Sequence, residues 1–85
     1  MIQFQHTVRD EAGIHARPAG ALVKLAKETT CDCKMKCGEK TADLTKIFAV
    51  MSLGVKSGDT VTLEITGENE KETSEKIQKF MEENL

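Results

Sequence analysis

Thr60–Thr66 sets Val61, Leu63 and Ile65 on one side of an extended chain and Thr62, Glu64 and Thr66 on the other. Period two is the signature of a strand with one face buried. Such a strand needs partners beside it and a cover over its apolar face, and the rest of the chain supplies both. Met1–Val8 alternates in the same way, with Ile2, Phe4, His6 and Val8 on one face. Cys31–Cys37 alternates again, placing Cys31, Cys33, Met35 and Cys37 opposite Asp32, Lys34 and Lys36. Gly38-Glu39 reads as a two-residue hairpin turn into a short strand over Lys40–Asp43.

Between these strands the period changes. From Ala16 to about Lys27, Ala19, Leu22, Val23 and Ala26 recur at helical spacing, with Pro18 in the first turn and Lys24 and Lys27 near the far end, where each suits a helix. Thr45–Leu53 predicts a short helix ended by Gly54. Its apolar residues spread around too much of its circumference for all to be buried. Gly67 ends the last strand. Asn69 followed by Glu72 resembles a capping box opening a final helix, whose inner face carries Thr73, Ile77, Phe80, Met81 and Leu85. The order is βαββαβα, an α+β fold with helices on one face of a mostly antiparallel sheet. Eighty-five residues suffice for one small domain, taken as 1–85.

Charge excludes some partners. Twelve basic and 14 acidic residues nearly cancel, unlike a strongly basic nucleic-acid binder or an acidic disordered tail. The balance hides a polarity: residues 1–56 carry nine basic and six acidic groups (+3), and residues 57–85 carry three and eight (−5). A basic part of this kind can steer a small protein toward an acidic partner. Apolar runs fall far short of the roughly 20 residues of a membrane span, and no secretory signal pattern opens the chain, so a cytoplasmic protein without membrane insertion is expected. Three cysteines are an odd number, which argues against a disulfide framework and for reduced thiols. Their spacing lacks the paired ligands of a zinc site, and strand parity points all three inward as small hydrophobes.

One segment carries chemistry beyond packing: Gly13-Ile14-His15-Ala16-Arg17-Pro18-Ala19. A histidine just before a helix, an arginine two residues on and the unpaired N–H groups of a first turn make a site for a phosphate held on a ring nitrogen. Neutral imidazole is a competent nucleophile for phosphoryl transfer.

This stretch resembles the active-site signature of the histidine-containing phosphocarrier (HPr) family of the bacterial sugar phosphotransferase system. A second motif, Val50-Met51-Ser52-Leu53-Gly54-Val55, follows at the family's interval, and the resemblance spans essentially the whole chain. It implies an open-faced sandwich of a four-stranded antiparallel sheet with three helices on one face. It implies a carrier rather than an enzyme, monomeric, with no metal or other cofactor. Enzyme I would phosphorylate His15 at Nδ1, with Arg17 stabilising the charge, and the phosphoryl group would pass to IIA domains of sugar transporters. Ala16, Gly20, Lys24, Lys27, Ile47, Phe48 and Met51 match docking positions, and Lys46 would add to their basic rim. The family implies that Ile47, Phe48 and Met51 form an exposed apolar patch beside His15. In the regulated branch of the family a serine before the short helix is phosphorylated by a kinase; here that position is Lys46, which accepts no phosphate ester, and Thr45 lies one residue out of register. Two further readings are a regulatory docking module of the same fold and a thiol-based metal or redox protein using Cys31, Cys33 and Cys37.

Overall fold

The computed structural model describes residues 1–85. The elements run β1 (Ile2–Thr7), α1 (Ala16–Lys27), β2 (Asp32–Cys37), β3 (Lys40–Asp43), α2 (Ile47–Ser52), β4 (Thr60–Thr66) and α3 (Glu70–Asn84). They form an open four-stranded sheet in the order β1-β4-β2-β3, antiparallel throughout. The expected α+β class, element order and layering are all present.

Register explains why the alternation is so clean. Phe4 pairs with Leu63, Leu63 with Met35, and Met35 with Ala42, so one apolar row crosses all four strands on the helix side. Val61, Leu63 and Ile65 of β4 are fully buried, because β4 has a strand on each side and helices over its face. A slip of one residue would turn that row to solvent. The helices close the core with Ala19, Leu22, Val23 and Ala26 from α1, Val50 from α2, and Ile77 and Met81 from α3. The β2–β3 turn has two residues, since Cys37 pairs with Lys40, and Gly38 supplies its positive φ of 62°, which a side chain would resist.

Local details depart from the sequence reading. Asn69 makes no side-chain cap to α3. Glu70 works there instead: its Oε2 accepts the Gly67 N–H and its Oε1 accepts the N-terminal ammonium of Met1, each at 3.1 Å. A carboxylate in the first turn of a helix, accepting from a cation and a free N–H, is a favourable placement. The short helix is trimmed to Ile47–Ser52, because Thr45 turns back to donate its N–H and hydroxyl to Asp43 Oδ1 at 2.9 and 2.7 Å. These two bonds hold the Asp43 carboxyl below its ordinary range. His6 is buried on the inner face of β1 as its parity requires, with Nε2 left without a hydrogen-bond partner.

The three thiols separate. Cys31 and Cys33 are buried in the core, but Cys37, beside the hairpin turn, is only half-buried. Cys31 packs under α3, its Sγ 3.5 Å from Thr73 Oγ1, and the Thr29 and Thr73 hydroxyls hold its thiol below the ordinary value. Burial pushes the Cys33 thiol up to about 11. A thiol reagent at neutral pH is therefore expected to modify Cys37 first, and Cys31 and Cys33 only after denaturant is added. Folding should also weaken in alkali. The unfolded Cys33 thiol ionises near 9.0 and the folded one near 11, so the contribution of its neutral form is complete below the first value and is lost as pH rises toward the second, on the order of 2–3 kcal/mol. Urea titrations of Cys33→Ala should show a shallower fall over that window than the parent chain.

Candidate functional site

The segment Val8–His15 is held at both ends. Val8 donates its N–H to the Asp59 carbonyl and accepts from the Gly58 N–H, at 2.9 and 2.8 Å, and Ile14 donates to the Val55 carbonyl at 3.2 Å. Between them the chain reverses in a turn closed by Gly13 N–H to the Asp10 carbonyl, 2.9 Å. Gly13 has φ 68°, and a Cβ there would lie 2.3 Å from the Val55 carbonyl oxygen. Both the conformation and the space exclude a side chain. This close approach sets where Ile14 enters the core and where His15 leaves it.

His15 is the N-cap of α1, extended at φ −105°, ψ −179°, and its side chain makes no cap bond. Its carbonyl accepts the Ala19 N–H at 3.0 Å, while the amides of Ala16 and Arg17 have no partner. No acidic residue lies in the first turn, so the positive end of the helix is not offset from within. The His15 side chain is 44% exposed. Arg17 is exposed and joins no ion pair. An unpaired guanidinium and an accessible imidazole therefore line one place, at a helix terminus with two free amides, a combination suited to a tetrahedral dianion.

That place is a cleft of about 330 Å³ lined by Asp10, His15, Arg17, Pro18, Ala21, Phe80 and Asn84. The end of α3 reaches it because Arg9 and Asp10 donate backbone N–H groups to Leu85 oxygen and the Arg9 guanidinium donates to the Glu82 carbonyl at 2.9 Å. Asp10, Ala21, Phe80 and Asn84 were not among the expected site residues. Phe80, read from its spacing as a core residue, is only half-buried and turns one side to the cleft. Asp10 lies inside a turn and reaches His15 through that turn's geometry, which spacing along the chain does not encode.

The remaining expected residues lie along α1 and α2, which pack together. Lys24 and Lys27 continue the exposed stripe of α1 from Arg17, and Gly20 lies half-buried at its edge toward α2. Lys27 is thus about 18 Å along the helix axis from His15, too far to share its chemistry. A Cβ at Gly20 would stand 3.8 Å from Ile47 Cδ1, ordinary contact, so small size is not obligatory there. Ala16 and Lys46 are exposed, Lys46 as the N-cap of α2. The expected apolar patch is narrower than three residues. Phe48 is 84% exposed and Met51 39%, but Ile47 is half-buried against the core because it meets α1.

The cysteines lie elsewhere, and no three His, Cys, Asp or Glu side chains converge on a possible metal. A second recess, about 190 Å³, sits between the far end of α1 and the start of α3. No helix is long and apolar enough to cross a membrane.

Replacing Gly13 with alanine should cost roughly 2–5 kcal/mol, from a left-handed residue with a Cβ and a forced backbone contact. Urea denaturation measures the loss, and the His15 resonances should shift in the folded fraction. A variant as stable as the parent would show that the approach to Val55 is not what positions the segment.

Comparison with known proteins agrees with this geometry. The family model described as "PTS HPr component phosphorylation site" matches residues 2–83. The chain is 39% identical over 79 residues to phosphocarrier protein HPr of Lysinibacillus sphaericus, covering 93% of this chain and 90% of that protein. It is 35% identical over 85 residues to the HPr-like protein Crh of Bacillus subtilis, covering all of both. Among solved structures, the histidine-containing phosphocarrier protein of Mycoplasma superposes with a TM-score of 0.93 at 28% identity, over 96% of this chain and 93% of that one. With a family model spanning nearly its whole length and full-length relatives above 30% identity, the chain belongs to the HPr family of phosphotransferase-system phosphocarriers.

Proposed function

We propose that this protein accepts a phosphoryl group from phosphorylated enzyme I on His15 Nδ1 and passes it to IIA domains of sugar transporters, working as a monomeric carrier in the cytoplasm. The observation that carries the reading is the His15 site itself: an accessible ring at the α1 N-terminus, with the Ala16 and Arg17 amides and the Arg17 guanidinium all unpartnered. Nδ1 attacks phosphorus in line. Arg17 and the helix terminus hold the phosphoryl oxygens, and the partner supplies most of the positioning. Exposure matters as much as charge, because a carrier must give the group up again.

Docking falls to the adjoining surface. Phe48 and Met51 form an apolar spot that the fold leaves uncovered, a feature that on a small protein marks an interaction site. Lys46, the exposed N-cap of α2, and Lys24 and Lys27, exposed on the α1 helix that packs against α2, would supply positive charge for an acidic partner. Lys46 stands where regulated relatives place a phosphorylatable serine, so this surface keeps its positive charge permanently. The neighbouring Thr45 hydroxyl is committed to Asp43.

A regulatory docking role is the second reading, favoured by full-length similarity to Crh. It has no use for a free imidazole beside an unpaired arginine, and the carrier reading does.

Incubation with enzyme I and phosphoenolpyruvate should place one acid-labile phosphate on His15. His15→Ala should lose all label with an unchanged melting temperature; label surviving on that variant would sink the assignment. For docking, Lys46→Glu should weaken enzyme I binding at low salt more than at high salt. Phe48→Ala should weaken it equally at both, since apolar burial is not screened. Titrations at two ionic strengths decide this, and a Lys46→Glu variant with full affinity at low salt removes Lys46 from the interface.

A further inference from the structure

Asp10 is the one acidic side chain in the cleft that holds His15 and Arg17. It is fixed from three directions. Its N–H donates to Leu85 oxygen at 3.2 Å, its carbonyl accepts the Gly13 N–H at 2.9 Å, and its Oδ1 accepts the Ala12 N–H at 2.9 Å. With Oδ1 committed, Oδ2 is the oxygen turned to the ring, 3.8 Å from His15 Nε2. That is ion-pair range, somewhat longer than a direct hydrogen bond. Arg17 leaves this carboxylate alone, although both line the cleft.

We infer that Asp10 is a positioning residue that keeps the ring proton of His15 on Nε2 and so leaves Nδ1 bare for the phosphoryl group, an inference that rests on the carrier reading above. A neutral imidazole holds its proton on one nitrogen and a free lone pair on the other, and an ionised carboxylate can only accept. Facing Nε2, it favours the tautomer with the proton there. In transfer the Nδ1 lone pair forms the new N–P bond, the bond from phosphorus to the donor breaks, and its electron pair stays on the donor. The ring keeps its Nε2 proton and acquires positive charge, which the Asp10 carboxylate faces. Discharge to an acceptor reverses each change. Asp10 also repels the incoming phosphoryl group, but that group binds at the other nitrogen, farther away than the proton it attracts.

Asp10→Asn separates charge and tautomer from shape. The amide oxygen can still accept the Ala12 N–H, which leaves an NH₂ donor facing the ring. A donor favours a bare Nε2 and moves the proton to Nδ1, the nitrogen that must be free. Nitrogen-15 spectra of the neutral ring should show the Nε2–H form in the parent and a shift toward Nδ1–H in the variant. Phosphorylation by charged enzyme I should slow about tenfold, well short of the roughly 10⁴-fold loss on replacing a buried orienting carboxylate, because Asp10 is partly exposed. Asp10→Ser, whose hydroxyl can still accept the Ala12 N–H but is uncharged and one bond shorter, so that neither a carboxylate nor an amide reaches toward the ring, should give mixed tautomers and an intermediate rate, and it serves if the asparagine variant does not fold. Unchanged ring spectra overturn the proposal whatever the rate, since a merely structural loss would slow transfer without moving the proton. An unchanged rate with a moved proton overturns it as well. The spectra need no phosphoryl donor, so they decide the pairing of Asp10 with His15 independently; a parent chain that takes no label refutes the carrier reading instead.

Discussion

Everything in this fold hangs on β4. It lies between β1 and β2 and pairs with both along nearly its full length, yet it is sixth of the seven elements in chain order. Until Thr60–Thr66 is in place, β1 has no neighbour and the β2–β3 hairpin has only itself, too little for a stable sheet. Each of its inward residues is covered on both sides by partners and above by helices, so the strand ties every other element into one core. The cost is that its pairings with β1 join residues about 60 positions apart, contacts whose loop-closure entropy must be met before they stabilise anything.

The chemistry inherits this dependence. His15 follows β1 by only a few residues, but its place in space is set by segments far along the chain. Asp59 and Gly58 hold Val8, Val55 receives Ile14 and crowds Gly13, and Leu85 anchors Arg9 and Asp10. A site on an exposed loop would ordinarily be mobile. Here backbone hydrogen bonds from two distant segments, Val55–Asp59 and Leu85, fix the approach, while the Arg17 guanidinium stays unpaired. A fixed backbone with an unpaired arginine suits the proposed carrier role, in which one surface meets more than one partner.

The elements were legible because each strand has one buried face and α1 has one buried stripe, so residue type tracks position with period 2 or 3.6. His15, Arg17 and Phe48 were legible through a motif that relatives share. What escaped the sequence shares one physical cause, dependence on groups far away in the chain. The role of Glu70 at the start of α3 depends on the N-terminal ammonium, 69 positions away in the chain. Phe80 faces a cleft because Leu85 is pulled toward Arg9. Ile47 leaves the exposed patch because α1 runs past it. Cys37 obeys its strand parity but sits at the hairpin end, where the cover thins. Asp10 is only five residues from His15, but the turn at Gly13, shaped by Val55, brings the two together.

The same geometry bears on why the site is so sparsely paired. A buried, fully hydrogen-bonded phosphoryl pocket would use charge-assisted bonds of full strength and would hold its cargo against transfer. At the half-exposed edge of a helix N-terminus, solvent screening reduces each contribution to the range of exposed ion pairs, about 0–1 kcal/mol, and the helix terminus adds about 0.3–1 kcal/mol. In the proposed cycle the phosphohistidine is then stabilised enough to form and too little to be trapped. Each partner can tip the balance by closing over the cleft and excluding water, which strengthens the interactions it completes. Phe48, left bare on a chain that has core positions to offer, fits the same logic: its burial is withheld from folding and becomes available to association.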